Sequence, residues 1–209
     1  KDLSAATKTV TDAVTIYANE NESVSSMLNK AQPTVLLSAA SGMSSSSSAD
    51  AIQGILNQFN LSEDQAMHVA DTVEKLSSEI ALDFSKGCDT ISQSIATSGS
   101  VVNEAGMSFE KYAALVSTTA EKTRQSGSVI GNAFKTIFSR ISRSKDGLTT
   151  DAEMSDAEAA LKSVGVSVRG ADGDLRDISD TLDNLNEVWG TLNHSQRSYV
   201  AEMAAGVRQ

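Results

Sequence analysis

Residues 106–141 read GMSFEKYAALVSTTAEKTRQSGSVIGNAFKTIFSRI, and this stretch decides the fold. Gly106 can adopt the left-handed conformation that ends one helix, and Ser108 can cap the next. Glu110 then falls in the first turn, where a carboxylate suits the helix dipole, and Met107 is placed to staple onto Tyr112. Phe109, Tyr112, Ala113, Val116 and Ala120 follow at i, i+3, i+4, i+7 and i+11, the spacing of one buried helix face. Ser126-Gly127-Ser128 breaks that helix. Ile130, Phe134, Ile137 and Ile141 then repeat the same face in a second helix, with Arg140 and Arg143 on its opposite side.

The Gly-apolar-Ser joint recurs along the chain. Gly42-Met43-Ser44 is one copy, and Asn60-Leu61-Ser62 is another with Asn as the left-handed residue; Gly165 closes a further helix. Ser62 with Gln65, and Ser155 with Glu158, have capping-box spacing. Between the joints lie helical faces: Val35, Leu36, Leu37 and Ala40 after Pro33, which suits a first helical position; Ile52, Ile55, Leu56 and Phe59; and Ala66, Val69, Val73, Leu76 and Ile80. Phe84, Cys88, Ile91 and Ile95 continue the period, with Ser85 and Gly87 as a dividing point. Leu175, Ile178, Leu182, Leu185, Trp189 and Leu192 keep an a/d spacing that makes Trp189 a core anchor, and a last helix is capped near Ser195. Val164, Val166 and Val168 alternate before the turn-like Ala171–Asp174. The expectation is an all-α protein of about nine or ten short helices joined by Gly/Asn-apolar-Ser hinges, with one small extended crossing near 164–175.

At the N-terminus Leu3, Val10, Tyr17 and Val24 recur every seven residues with Ala6, Ala13 and Met27 between them, a coiled-coil-like seam interrupted near Glu20. Three segments follow: an N-terminal helix over 1–30, a helical core module over 31–145, and an acidic helical segment over 146–209 packed on that core. Ser139–Thr150 reads as a basic surface loop.

Composition supports helices. Hydrophobic residues make up 40% and aromatics only 4%, with 13 Gly and a single Pro, so contacts between helices are thin and the commonest breaker is nearly absent. The net charge of −10 argues against general nucleic-acid binding. Charge is also segregated: Lys111–Lys145 holds seven Lys/Arg against Glu121 alone, whereas Asp146–Glu187 holds eleven Asp/Glu against three basic residues. Either the two regions pack together, or they are surfaces for neighbouring copies or partner proteins. Lys135, Arg140, Arg143 and Lys145 form the candidate basic interaction face. The chain begins at Lys1 without a Met or a charged-then-apolar leader, which reads as a piece of a larger protein.

Catalytic chemistry finds no foothold in the sequence. His68 and His194 stand apart without a companion at ligand spacing, and the single Cys88 reads as a small buried apolar residue. Asp172, Asp174, Asp177 and Asp180 suggest a calcium loop, but its sixth and twelfth positions hold Asp177 and Asp183 instead of Gly and Glu. No nucleophile elbow or phosphate loop is present. No cofactor or metal site is expected, and the chain is not read as an enzyme.

The ordered motifs Gln58-Phe59-Asn60-Leu61-Ser62, Val69-Ala70-Asp71-Thr72-Val73, Glu104-Ala105-Gly106-Met107-Ser108, Ala113-Ala114-Leu115, Gly127–Phe134 and Leu161–Val166 resemble the core region of tape measure proteins of long-tailed bacteriophages and prophages. The resemblance covers roughly residues 30–206. It implies a virion structural protein that lies in the tail tube lumen, sets tail length, nucleates tube assembly and leaves ahead of the DNA. Partners implied are tube and tail-tip proteins and assembly chaperones, in the host cytoplasm during assembly. Self-association and transient contact with the host membrane are further partners it admits. An alternative reading is an envelope-directed effector that assists DNA entry, since 128–143 has apolar and basic faces suited to a bilayer surface.

Overall fold

The computed structural model describes residues 3–19, 23–142 and 155–206. Among them the chain forms ten α-helices: α1 (Leu3–Asn19), α2 (Val24–Ser41), α3 (Ser45–Gln58), α4 (Ala66–Glu79), α5 (Phe84–Glu104), α6 (Phe109–Thr123), α7 (Gly127–Ile141), α8 (Asp156–Ser163), α9 (Ile178–Trp189) and α10 (His194–Ala205). A single 3-10 turn, Glu63–Gln65, leads into α4. The extended crossing expected near 164–175 is one isolated antiparallel bridge between Arg169 and Leu175, and no strand forms among the described residues. The fold is all-α.

Two compact units divide the chain. The first comprises Lys1–Ser100 with Phe109–Gly131, the second Val101–Ser108 with Asn132–Gln209, so α5 and α7 each contribute to both. In the first unit α1 to α4 pack on one another and α6 packs on α4. The sequence-read face of α6 is its core contribution: Phe109, Tyr112, Ala113, Val116 and Ala120 are all buried. Each large apolar side chain so buried is worth about 1.5–3 kcal/mol. Ile52, Ile55, Leu56 and Phe59 are buried on α3 and its end, and Phe59 meets Phe109 edge-on with ring centroids 5.8 Å apart. In the second unit α8 packs on α10, and Ile141, Phe138, Leu161, Val166, Val168 and Ile178 are buried.

Several expectations are corrected. The second helix starts at Val24, capped by Ser23, whose hydroxyl accepts from the Ser26 N–H, and Pro33 lies within it. Pro33 leaves the Asn29 carbonyl without its helical donor but is itself buried, so packing compensates. The face α2 buries is Lys30, Ala31, Thr34, Leu37 and Ser41; Leu36 and Ala40 are exposed. The N-terminal heptad is not one buried seam: Ala13 and Tyr17 are buried while Val10 and Val24 are exposed. The break between α4 and α5 falls at 80–83, and Gly87 sits inside α5. On α7 the fully buried aromatic is Phe138, against which Phe134 stacks at 5.6 Å, while Phe134 and Ile137 are half-buried. Trp189, Leu182 and Leu185 are likewise half-buried, so Trp189 is not a core anchor; Ile178 and Thr181 are the buried residues of α9. The last helix is capped by Asn193, two residues before Ser195, in a capping box with Gln196. Glu20 and residues 143–150 of the expected basic loop lie outside the described residues, and Ser139–Ile141 belong to α7.

Candidate functional site

The helix joints are built by one local rule. At Asn60 (φ 52°), Gly106 (φ 82°) and Gly165 (φ 86°) the backbone turns left-handed. In each case the next N–H reaches back to a carbonyl five residues earlier: Leu61 to Leu56 at 2.9 Å, Met107 to Val102 at 3.2 Å and Val166 to Leu161 at 3.0 Å. This is the Schellman closure, and it explains the apolar residue after each Gly or Asn, since that side chain packs back on the apolar residue whose carbonyl it caps. Gly42 (φ 75°) uses the simpler single bond, its N–H donating to Ser38 O at 3.0 Å. Ser44 then caps α3 by accepting from the Ser47 N–H at 3.0 Å, and the Ser62 N–H donates to Gln65 Oε1 at 3.1 Å. Ser108 is the residue directly before α6.

Gly127 behaves differently. It is the first residue of α7, and the left-handed residue of that joint is Arg124 (φ 58°), whose N–H closes on Ala120 O at 2.9 Å. The Arg124 guanidinium reaches across to the Ala81 carbonyl at 2.5 Å, tying this joint to the α4–α5 connection. What Gly127 supplies is closeness: with Gly131 one turn later it lets α7 lie directly on the backbone of α5. A Cβ on Gly127 would strike the Thr90 carbonyl oxygen, and one on Gly131 would stand 2.7 Å from Ser94 O. The sequence reading took Gly127 as a hinge and gave Gly131 no role; the left-handed Arg124 was missed as well, because nothing in its residue type marks it.

Gly106 is doubly constrained. Besides its positive φ, a Cβ there would strike Asp177 Oδ1 and stand 2.6 Å from Asp177 Cγ. The Ile178 N–H donates to Ala105 O at 2.7 Å, so the start of α9 is seated on this joint. Ser155 Oγ accepts from the Glu158 N–H at 3.1 Å, but the Glu158 carboxylate does not close the expected box. It pairs with Arg169 Nε at 2.8 Å, and Arg169 Nη1 donates to Gly173 O at 2.9 Å, pinning the 166–176 crossing to α8.

Of the candidate basic face, Lys135 and Arg140 are exposed on α7, five residues and therefore about 140° apart around the helix, so they do not share a face. Arg140 lays its guanidinium over Gly206 at the end of α10. Arg143 and Lys145 lie outside the described residues.

Polar groups within the first unit form a second feature invisible in the sequence. Lys30 is fully buried, its ammonium 4.7 Å above the Tyr17 ring and 2.6 Å from Gln53 Oε1, with Glu63 at 4.0 Å. Tyr17 Oη bonds Thr34 Oγ1 at 2.7 Å. Beside this cluster an open cleft of about 560 Å³ is lined by Asn29, Gln53, Asn57, Ser62, Glu63 and Asp64. His68 Nε2 meets Glu110 Oε1 at 2.7 Å, linking α4 to α6. Cys88 is buried, and burial pushes its thiol up, with a Ser77 hydrogen bond opposing. Burial also raises the Tyr112 phenol, against hydrogen bonds from Ser94 and Ser98, and raises the Glu74 carboxyl with help from nearby Asp71. Among the described residues no group of three His, Cys, Asp or Glu side chains could hold a metal ion, and no helix is long and apolar enough to cross a membrane.

Comparison with known proteins gives a match to the family described as phage-related minor tail protein over residues 1–206. The chain is also similar to the probable tape measure protein of Escherichia phage P2, 26% identical over 152 residues. That alignment covers 73% of this chain and 17% of the relative, so the chain spans a minor part of the relative's length. No solved structure matches.

Proposed function

The chain belongs to the family of phage-related minor tail proteins, and from that premise we propose that it is the part of a tape measure protein that folds as a hinged helical module attached to the length-setting portion. In this reading it helps nucleate tube assembly on tail-tip proteins and chaperones, occupies the tube lumen, and is released ahead of the DNA during ejection. The module contributes no catalysis. The observation that carries the reading is the family match over residues 1–206 laid on a chain whose described residues form ten short helices in two compact units. A ruler works best as one long helix, because about 1.5 Å per residue converts chain length directly into tube length. Helices that stop at Gly42, Asn60, Gly106 and Gly165 interrupt that conversion.

The test is an in-frame deletion of residues 62–141 from the parent gene, with tail lengths measured by electron microscopy. Eighty residues of continuous helix would shorten the tail by about 120 Å. The module reading expects either loss of tails or normal-length tails on non-infectious particles. Tails shortened in proportion to the deletion refute it.

A further inference from the structure

The cleft in the first unit opens between α2, α3 and the joint that leads into α4, and its volume of about 560 Å³ falls within the usual range of ligand sites. Its lining is chiefly polar, which calls for a polar ligand, and its walls are held in place. On α3 the buried Lys30 ammonium donates to Gln53 Oε1 at 2.6 Å, and Gln53 Nε2 donates to Asn57 Oδ1 at 2.8 Å. The relay fixes Gln53 and engages the Asn57 acceptor, so Asn57 presents its amide N–H donors to the cleft. At the joint, Asn60 turns left-handed and the Ser62 N–H donates to Gln65 Oε1 at 3.1 Å, which sets Glu63 and Asp64 in the lining. A site fixed before its ligand arrives loses less entropy on binding.

Charge in the cleft is uneven. Glu63 lies 4.0 Å from the Lys30 ammonium, whereas Asp64 has no ion-pair or hydrogen-bond partner among the described residues. Two carboxylates therefore line the cleft against one ammonium that is fully buried and already bound to Gln53. A matching ligand carries positive charge with several donors, an apolar stem for Leu56 and Leu61, and a carbonyl for the Asn57 amide. Arginine within a peptide has all three. Its guanidinium is a planar fork of five donors shaped for carboxylates, and its main-chain carbonyl is an acceptor for Asn57. Lysine offers instead a compact, strongly hydrated point charge. A nucleic acid or other polyanion would be repelled by Glu63 and Asp64.

We propose that this cleft is a docking site for an arginine-bearing peptide segment of a partner protein, with Asp64 and Glu63 receiving the guanidinium and Asn57 the main chain. The inference stands on the cleft alone and does not rest on the tail-assembly reading.

Titration of the isotope-labelled full chain with the tripeptide acetyl-Gly-Arg-Gly-amide, followed by backbone amide chemical shifts, tests it. So small a ligand makes few contacts, and saturable shifts at Asn57 and Leu61–Asp64 with a Kd of about 1 mM are expected. Asp64 is exposed, so Asp64→Asn leaves the fold intact and should raise that Kd about three- to fivefold, the worth of a solvent-exposed ion pair. Asp180→Asn removes the same charge from α9, outside the cleft, and should leave the Kd unchanged. The peptide with Gln in place of Arg should not saturate. Three results overturn the proposal. The first is the absence of saturable shifts up to about 20 mM, well above the expected Kd. The second is an equal response of Asp64→Asn and Asp180→Asn, which would mark general attraction to an acidic chain. The third is equal binding of the Gln peptide, which would mean that the cleft does not read the guanidinium.

Discussion

Gly106 and Gly165 offer a controlled test of what a helix joint costs, because both lie in the second unit at nearly the same positive φ, 82° and 86°. Gly165→Ala meets nothing within 4 Å, so its cost is the left-handed conformation alone, about 1–2 kcal/mol. Gly106→Ala carries that cost and adds a collision with Asp177, whose Cγ would be 2.6 Å away and whose Cβ 3.0 Å away. Overpacking of this kind adds about 1–3 kcal/mol, for a total of about 2–5. The carboxyl oxygen and Cγ make the severe contacts, whereas the Asp177 Cβ at 3.0 Å is only tight. Removing the carboxylate should therefore help: in a double-mutant cycle with Asp177→Ala, the cost of Gly106→Ala should fall towards that of Gly165→Ala, a coupling of about 1–3 kcal/mol. Urea titration followed by circular dichroism measures all four corners. Equal costs for the two glycines, or no coupling to Asp177, would show that the seating of α9 on this joint is not what Gly106 is needed for.

Other glycines give opposite signs: Gly127→Ala and Gly131→Ala each drive a Cβ into a backbone carbonyl of α5 and should cost about 2–3 kcal/mol, whereas Gly54→Ala, inside α3 with open space around it, should stabilise by about 0.5–1 kcal/mol in the same titration. Arg169→Ala leaves the Glu158 carboxylate, only 6% exposed at its side chain, without its cation and should cost about 3 kcal/mol. Replacing both residues by Met should recover most of that loss in thermal melts. Glu74 has a raised folded-state pKa through burial and Asp71, so the folded chain binds that proton more readily than the unfolded one, and stability falls as pH rises through the interval between the two values. Glu74→Gln should raise the melting temperature at neutral pH, with the advantage fading as the pH is lowered into the carboxylate range; an advantage independent of pH would refute the assignment.

How much of this was legible depends on how local the cause is. Helix ends at Asn60, Gly106 and Gly165 were readable because a Schellman closure needs only a left-handed residue and apolar partners five apart, and the end at Gly42 because its single-bond closure needs only the left-handed glycine, all within one sequence window. The α6 face was readable because every third or fourth residue is apolar. The α2 face was not. Its buried side is Lys30, Thr34 and Ser41 around Leu37, while Leu36 points outward, so hydrophobicity names the wrong side. What reverses it is tertiary: Tyr17 and Gln53, from α1 and α3, give the Lys30 ammonium and the Thr34 hydroxyl partners that water would otherwise supply. Pro33 misled for a related reason, since a buried proline can sit within a helix that its propensity alone would start or break. The Gly106–Asp177 seating joins residues seventy-one positions apart, and no single-sequence pattern records it.

The same distinction between local and distant causes bears on how this chain could rearrange. Left-handed joints cap their helices with bonds to the preceding turn, so separating two helices uncaps neither. Buried hydroxyls follow suit: Ser41, Ser98 and Ser117 donate to the carbonyls of Leu37, Ser94 and Ala113 within their own helices. Among the described residues the Ser48 and Ser92 hydroxyl oxygens are buried with no hydrogen-bond partner and would gain water on exposure. Opening such an interface sacrifices apolar burial, which is small where the contacts are Ala, Ser and Gly, and few hydrogen bonds. The resistance concentrates instead at a few cross-helix ties: Tyr17–Thr34, Lys30–Gln53, Tyr112–Ser98, His68–Glu110 and Arg124–Ala81. A module meant to fold compactly and later be drawn out should be built this way, with helices that keep their own bonds and interfaces latched at a handful of points.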